Sequence, residues 1–319
     1  MEQLKGMNFA TLLRKLQLPD EEFHAWLEDL KLITRNKVCV CGTKMRIDKV
    51  KGGKIHKRFR CTKKGCSKKL GYYSGTFFKK AHLSAKEIFE LSYFWSLDRT
   101  VTYEEIAREM QREGRKTISS KTLVDWMNFF RDVCCEYFLR NPLKVGGPGK
   151  VVEVGKTVIA RRKYGKGREV DEQWIFGGIE RESGICFMVP VGQCSAETLL
   201  PIIQKFVLPG TTVVSNLWHG PDDLPAAFNE LKKSCAISFG DPKTKPSTTA
   251  IELTWQKFKQ GHKARHGTHR SSLLSYIHQF VWKKQFGGGN GLYNLWKQIA
   301  DLYPVKEKVT EFEVEDGKR

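Results

Sequence analysis

Along the first 140 residues the apolar positions recur at helical spacing. Leu12, Leu13 and Leu16, then Phe23, Trp26, Leu27 and Leu30, predict two short helices over 8–33, broken at Leu18-Pro19-Asp20 with Asp20 as cap of the second. SAKEIFELSYFWSL, from Ser84, predicts a helix that opens on a capping box, because Glu87 stands three residues after the serine. Two more helical runs follow, TYEEIAREM from Thr102 and SSKTLVDWMNFF from Ser119. Between these helices, MRIDKV and KRFRC alternate as strands do, with Lys51-Gly52-Gly53 as the hairpin turn.

Beyond residue 150 the pattern changes. KVVEVGKTVIA, EQWIFGGIERESGICFMVPV and TTVVSNLW are β-branched, apolar runs, and a helix capped by Ser195 lies between the second and third. Three strands, a helix, a fourth strand and further helices predict a mixed α/β sheet. Trp255, Phe258, Tyr276, Phe280 and Trp282 fall on core positions of those later helices. PLKVGGPGK, residues 142–150, is the clearest linker, GGGNG (Gly287–Gly291) is expected to end the compact part, and the stretch after Pro304 reads as a loose tail.

Composition narrows the class. A hydrophobic fraction of 40% in 319 residues is enough to build cores, and no stretch approaches the roughly 18 apolar residues of a membrane span. The N-terminal pattern is an amphipathic helix without the apolar core of a secretory leader, so neither a secreted nor a membrane protein is expected. The net charge is +20, and it is concentrated: between Asn36 and Lys86 stand 16 Lys or Arg against one acid, Asp48. A cationic folded module of this kind fits a polyanion, because each phosphate contact releases condensed counterions. Lys57, Arg58, Arg60, Lys63, Lys64, Lys68 and Lys69 are its candidate DNA contacts, with Phe59, Tyr72, Tyr73, Phe77 and Phe78 interleaved. Smaller clusters are Arg161, Arg162, Lys163, Lys166 and Arg168, and, after Glu252, Lys257, Lys259, Lys263, Arg265 and Arg270 with His262, His266 and His269.

Nine cysteines make an odd number without a disulfide rhythm. Cys39 and Cys41, then Cys61 and Cys66 in CTKKGC, form two close pairs, the spacing of a zinc ribbon in which four thiolates close a tetrahedron around a structural Zn²⁺. His56 is a possible substitute ligand. Cys134, Cys135, Cys186, Cys194 and Cys235 read as buried and inert. The helices from Thr102 and Ser119 have the rhythm of a helix-turn-helix, which would turn Ser119, Ser120, Lys121 and Thr122 to a groove; a plain three-helix packing unit is the other reading.

RRKYGKGREVDEQWIFGGIERESGICFMVPV, SAETLLPIIQKFVLPGTTVVSNLW and TAIELTWQKFK resemble the DDE transposase domain of the Merlin superfamily and its bacterial insertion-sequence relatives, and CxC…CTKKGC…SGTFF is similar to their zinc ribbon. The resemblance runs from about Cys39 to Phe286. It implies a multidomain α+β chain: an N-terminal helical segment (1–34), a zinc ribbon (35–80), a helix-turn-helix-like domain (81–145), a ribonuclease-H-like domain (150–290) and a tail (291–319).

The chemistry of that family needs three carboxylates that hold two divalent metals about 4 Å apart. On the family's pattern the first Asp position is occupied by Gly155 and the acid after it by Lys156; the second Asp position holds Asn216; the third acid, Glu252, is present. Glu153 shares a strand face with Gly155 but sits about 6–7 Å along it, and Asp222, Asp223 and Asp241 complete no trio. The expectation is therefore no enzyme and no catalytic Mg²⁺: a domesticated, catalytically inactive, nuclear DNA-binding or chromatin-associated protein whose partners are DNA, chromatin proteins and, by resemblance, a second copy. Two other classes stay open, an active transposase or nuclease with carboxylates rearranged around Glu252, and an interaction module whose basic surfaces meet acidic proteins or RNA.

Overall fold

In the computed structural model the described residues are 1–50, 57–97, 101–111, 117–160, 172–215, 238–239, 248–265 and 267–308. The chain divides into a unit formed by residues 1–133 and 287–319 and a unit formed by residues 134–286.

In the first unit, α1 (Phe9–Leu16) is capped by Asn8, whose side chain accepts from the Thr11 amide at 2.9 Å. Proline at position 19 separates it from α2 (Asp20–Asp29). Asp20 was the expected cap, but the N-cap residue is Pro19 and the Asp20 carboxylate pairs instead with Lys86 at 2.9 Å. Three acids in the first turn, Asp20, Glu21 and Glu22, still favour that helix end through its dipole. Strands β1 (Met45–Lys49), β2 (Lys57–Cys61) and β3 (Lys69–Gly71) form an antiparallel sheet in that order. Helix α3 (Ala85–Ser96) opens on the expected Ser84–Glu87 capping box. Thr102 caps α4 (Tyr103–Glu109), and α5 (Ser120–Arg140) runs ten residues beyond the predicted Phe130.

The C-terminal part departs from expectation. Glycines 287–291 do not end the compact part: α9 (Gly291–Leu302) belongs to the first unit, with Leu292, Leu295, Trp296 and Ile299 buried. That i, i+3, i+4, i+7 stripe is an amphipathic helix face, which has to be covered. It is covered by α3. Trp296 stacks on Phe89 with ring centroids 3.9 Å apart and donates its indole N–H to Ser92 Oγ at 2.9 Å. Past Pro304 the chain returns to the start of the ribbon: the Val38 amide donates to the Glu307 carbonyl at 2.7 Å, and buried Lys37 donates to the Lys306 carbonyl at 2.6 Å.

The second unit holds a five-stranded sheet in the order β10, β9, β5, β6, β7, formed by β10 (Ser238–Phe239), β9 (Thr212–Ser215), β5 (Val151–Ala160), β6 (Gln173–Glu180) and β7 (Cys186–Val191). β5, β6 and β7 are antiparallel, and β9 and β10 run parallel to β5. A three-stranded meander extended from its first strand by two parallel strands is the ribonuclease-H-like arrangement. α6 (Ala196–Phe206) connects the meander to the parallel edge, as the sequence predicts. Val152, Val154, Phe176, Phe187 and Val213 pack with Leu199, Leu200 and Ile203 of α6. The alternate positions of β5 point to the other face, and there α7 (Thr249–Ala264) lays down Ile251, Trp255 and Phe258. α8 (Arg270–Phe286) buries Leu273, Ile277, Val281 and Trp282.

Residues 142–150, read as a linker, are built into this unit. β4 (Val145–Gly146) pairs in parallel with β8 (Val207–Leu208), and the Gly147 amide donates to Thr211 Oγ1 at 2.8 Å. Gly146 has φ +86° and a Cβ there would lie 2.2 Å from Thr211 Oγ1, so these glycines serve close packing.

Candidate functional site

The cysteine quartet is assembled by two tight turns at the base of the ribbon. Gly42 follows Cys41 with φ +83°, and Gly65 precedes Cys66 with φ +84°, which brings each pair together. The Cys39 amide donates to the Thr43 carbonyl at 2.9 Å, and the Cys61 amide to the Lys68 carbonyl at 2.8 Å. The four sulfurs lie within 4.8 Å of one another, with Cys39 to Cys66 at 3.7 Å and Cys41 to Cys61 at 3.5 Å. A tetrahedral Zn–S bond of about 2.3 Å sets sulfurs about 3.8 Å apart, so the donor set fits. Burial pushes the Cys39 thiol up to about 12, whereas hydrogen bonds from the Thr43 hydroxyl and amide bring Cys41 down to about 6. A dication makes all four thiolates favourable at once. Among the described residues this is the only group of three or more His, Cys, Asp or Glu side chains placed to hold an ion.

The basic residues of the ribbon divide. Arg46, Asp48, Arg58, Arg60 and Lys69 share one face, since the strand register sets Arg46 opposite Arg60, Asp48 opposite Arg58, and Lys69 opposite Arg60. Lys63 and Lys64 are exposed on the second cysteine turn, with Lys68 half-buried. Lys57 differs from the others. Its ammonium pairs with Glu21 at 2.6 Å, donates to His24 Nδ1 at 3.3 Å and sits 5.5 Å from the Tyr72 ring centre, so it is used inside the unit. The interleaved aromatics Phe59, Tyr72, Tyr73 and Phe78 are core residues, all less than 9% exposed. His24 was not singled out by sequence. It bridges Lys57 and the Tyr73 hydroxyl, 2.9 Å away, and burial with the nearby Lys57 lowers its pKa.

At the start of α5, Lys121 is exposed, and the Thr122 hydroxyl shares a 2.9 Å hydrogen bond with Ser119, whose Oγ also accepts from the Thr122 amide. Trp126 is buried, as expected. Phe129, one helical turn from it on neither cap nor core, is 49% exposed. Arg161, Arg162, Lys163, Lys166 and Arg168 lie outside the described residues, as do the Lys51-Gly52-Gly53 turn, His56, Asn216, Asp222, Asp223, Cys235, Asp241 and His266.

On the sheet of the second unit, Gly155 is buried opposite Gly177 in the β5–β6 register. The Trp255 indole lies across this pair. A Cβ at 155 would stand 3.4 Å from Trp255 Nε1, and one at 177 would stand 2.9 Å from the indole ring. Glu153, one step along the same face, is 2% exposed and fully engaged: Arg181 Nε donates to it at 2.7 Å and the Ile251 amide at 3.0 Å. It therefore caps the first turn of α7, a role that the sequence did not show because Ile251 is 98 residues away. Glu252 lies in that turn, exposed, accepting from the Thr248 hydroxyl at 2.9 Å. Lys156 is exposed with its ammonium 5.5 Å from the Trp174 ring centre. The two-metal arrangement implied by the fold does not fit these described residues: Gly155 offers no oxygen, and both Glu153 oxygens are taken.

Cys186 is buried, and burial pushes its thiol up to about 12, as suits an inert core residue; Cys134 is buried too, and Cys135 and Cys194 are half-buried. No helix among the described residues is long and apolar enough to cross a membrane.

Comparison with known proteins gives three results. No protein of curated function matches the chain significantly. Among solved structures, the magnesium-bound catalytic core domain of HTLV-2 integrase matches in its dimeric form with 16% identity over 43% of this chain and 84% of that one, at a TM-score of 0.29. Its trimeric form matches with 17% identity over the same shares and a TM-score of 0.28. A simian T-cell lymphotropic virus intasome in complex with the PP2A regulatory subunit B56 gamma matches with 13% identity over 51% of this chain and 58% of that one, at a TM-score of 0.30. Scores this low carry nothing, and the fold assignment rests on the strand order and on sequence. Residues 146–285 match the ISXO2-like transposase domain, a span that begins in β4 and ends in α8 and so takes in the whole five-stranded sheet. Over that span, somewhat under half of its length, the chain is similar to the ISXO2-like transposase domain.

Proposed function

We propose that this chain is a transposase-derived protein that binds duplex DNA through its cationic ribbon and does not cut strands. The observation that carries the reading is Gly155: at the position of the first metal-binding carboxylate there is no side chain, and the space over it is occupied by Trp255. Lys156 puts a cation beside it, which opposes a dication further. Asn216 stands at the second acid position and leaves Glu252 as the only acid of the three. The cysteine quartet holds Zn²⁺ on this reading and closes the ribbon, whose outer face and second turn meet the phosphates; Lys121 and Thr122 at the start of α5 make a second contact. Arg161, Arg162 and Lys163 extend the cationic surface in sequence. The protein acts in the nucleus, on DNA or chromatin, and self-association on DNA accompanies binding.

The test uses the full zinc-loaded chain. Binding to a random duplex at about 0.15 M salt, weakening steeply as salt rises, is expected, together with no nicking or strand transfer in Mg²⁺ or Mn²⁺. Divalent-dependent nicking abolished by Glu252→Ala would establish the rearranged-carboxylate enzyme instead, and binding unaffected by competitor DNA would establish the interaction module.

A further inference from the structure

The charge on the outer face of the ribbon is not a plain run of cations. Asp48, the single acid in the stretch from Asn36 to Lys86, sits in the middle of it. It is drawn in, with its side chain 16% exposed, while the arginines around it are open at 60% (Arg46) and 41% (Arg60). Asp48 Oδ1 takes Arg46 Nε at 2.8 Å, and Oδ2 faces Arg60 Nη1 at 3.8 Å. Arg58, opposite Asp48 in the register, has its Nε buried with no hydrogen-bond partner among the described residues. An acid here costs phosphate affinity, so a surface meant only for backbone contact gains nothing from it. What it supplies is order: a guanidinium held through Nε presents its two terminal nitrogens as a fixed fork.

We propose that the β1–β2 ribbon is a base-reading surface that enters the major groove of duplex DNA, with Arg46, held through Nε by Asp48, forked to a guanine and Arg60, its cross-strand partner, contacting the neighbouring guanine. The inference rests on the DNA-binding reading above and makes it specific. A two-stranded antiparallel ribbon fits the major groove, and a bidentate arginine matches the O6 and N7 acceptors of guanine. Because Arg46 and Arg60 are cross-strand partners, they face adjacent base steps rather than distant ones. Lys69, level with Arg60 on β3, is placed for the flanking phosphate.

The experiment is selection of bound duplexes from a random pool by the full zinc-loaded chain, followed by affinity measurements at several salt concentrations. Wild type is expected to enrich neighbouring guanines. Asp48→Asn should bind random duplex as tightly or more tightly, having lost a negative charge, while discrimination against guanine-to-adenine changes falls at least about fivefold. Arg46→Lys keeps the charge and should lose the same discrimination with an unchanged salt slope. Zinc content equal to wild type shows that both variants fold. Enrichment that survives both substitutions, or affinity and discrimination falling together in Asp48→Asn, overturns the proposal. Wild-type binding without guanine preference overturns it while leaving the DNA-binding reading intact, and no duplex binding at all overturns both.

Discussion

The ribbon and the sheet each place a set of ligand positions by the same means, strands ended by turns, yet on the function proposed above one set is complete and the other is not. At the ribbon, two glycine turns converge four sulfurs to within 4.8 Å. At the sheet, β5 delivers a glycine where the family's pattern has a carboxylate, and α7 lays an indole over it. The difference lies in what each module needs to stay folded. The ribbon is three strands of three to five residues, too small for a core of its own to suffice, so a metal held by the four cysteines would supply folding energy directly. The ten-residue β5 is held by pairing on both edges and by packing on both faces, and no part of that depends on an acid at 155. A first-strand carboxylate can be replaced there without loss of the sheet.

That contrast can be broken by experiment. The largest effect is expected at the quartet. Cys61→Ser, or a strong chelator on wild type, should take bound zinc from one equivalent to near none and unfold the ribbon, read by metal analysis and amide exchange; retained stoichiometric zinc would remove the metal assignment. Next is Glu153→Gln, which removes the buried carboxylate that meets the exposed Arg181 and weakens the cap of α7. A loss of about 1.5–3 kcal/mol in denaturant unfolding of the second unit is expected, as for hydrogen bonds to a charged group, and a loss below about 0.5 kcal/mol would mean that Glu153 is not structural.

Gly155→Asp should cost about 1–3 kcal/mol: the new Cβ meets Trp255 at an ordinary contact distance of 3.4 Å, and the cost is that of a polar group placed at a buried position. Combined with Lys156→Glu and Asn216→Asp, the same change is expected to create Mg²⁺ binding, measured by calorimetry, that wild type lacks. Failure of the triple variant to bind Mg²⁺ while folded would place the defect in the scaffold rather than in the ligands. A smaller change belongs to Ser84→Ala, which removes the capping box of α3 at a cost of about 1 kcal/mol, visible as a lower midpoint in urea.

The smallest effect is a pH dependence. His24 is held below its ordinary 6.5 by burial and by Lys57, against the opposing pull of Asp20 and Glu21. Its folded pKa lies below the unfolded one, so protons bind the unfolded chain preferentially. Its contribution is therefore intact above about pH 6.5 and is lost as pH falls below that value. A shallow fall in Tm of the first unit between pH 7 and 5, flattened in His24→Gln, is expected. His262 and His278, lowered chiefly by burial, act in the same direction in the second unit and are unaffected by that substitution.

Much of this molecule was legible in its sequence because the signals were local. Turn chemistry and spacing marked the four cysteines, Ser84 and Glu87 marked the start of α3, and β-branched runs marked β5, β6, β7 and β9. That residue 155 is a glycine is also a sequence fact. What the sequence left undetermined depends on partners far along the chain. Leu292, Leu295, Trp296 and Ile299 are an apolar stripe in any reading, but only the folded chain sets Trp296 on Phe89 and turns an expected tail into core. Asp20 is a sound cap locally, and Lys86, 66 positions on, takes its carboxylate. Lys57 counts as one more cation in composition, whereas Glu21, His24 and Tyr72 occupy it in space. Local free energies of turns, caps and periodicity are written in neighbouring residues; the choice among competing partners for a charge or an aromatic face is made only when distant segments meet.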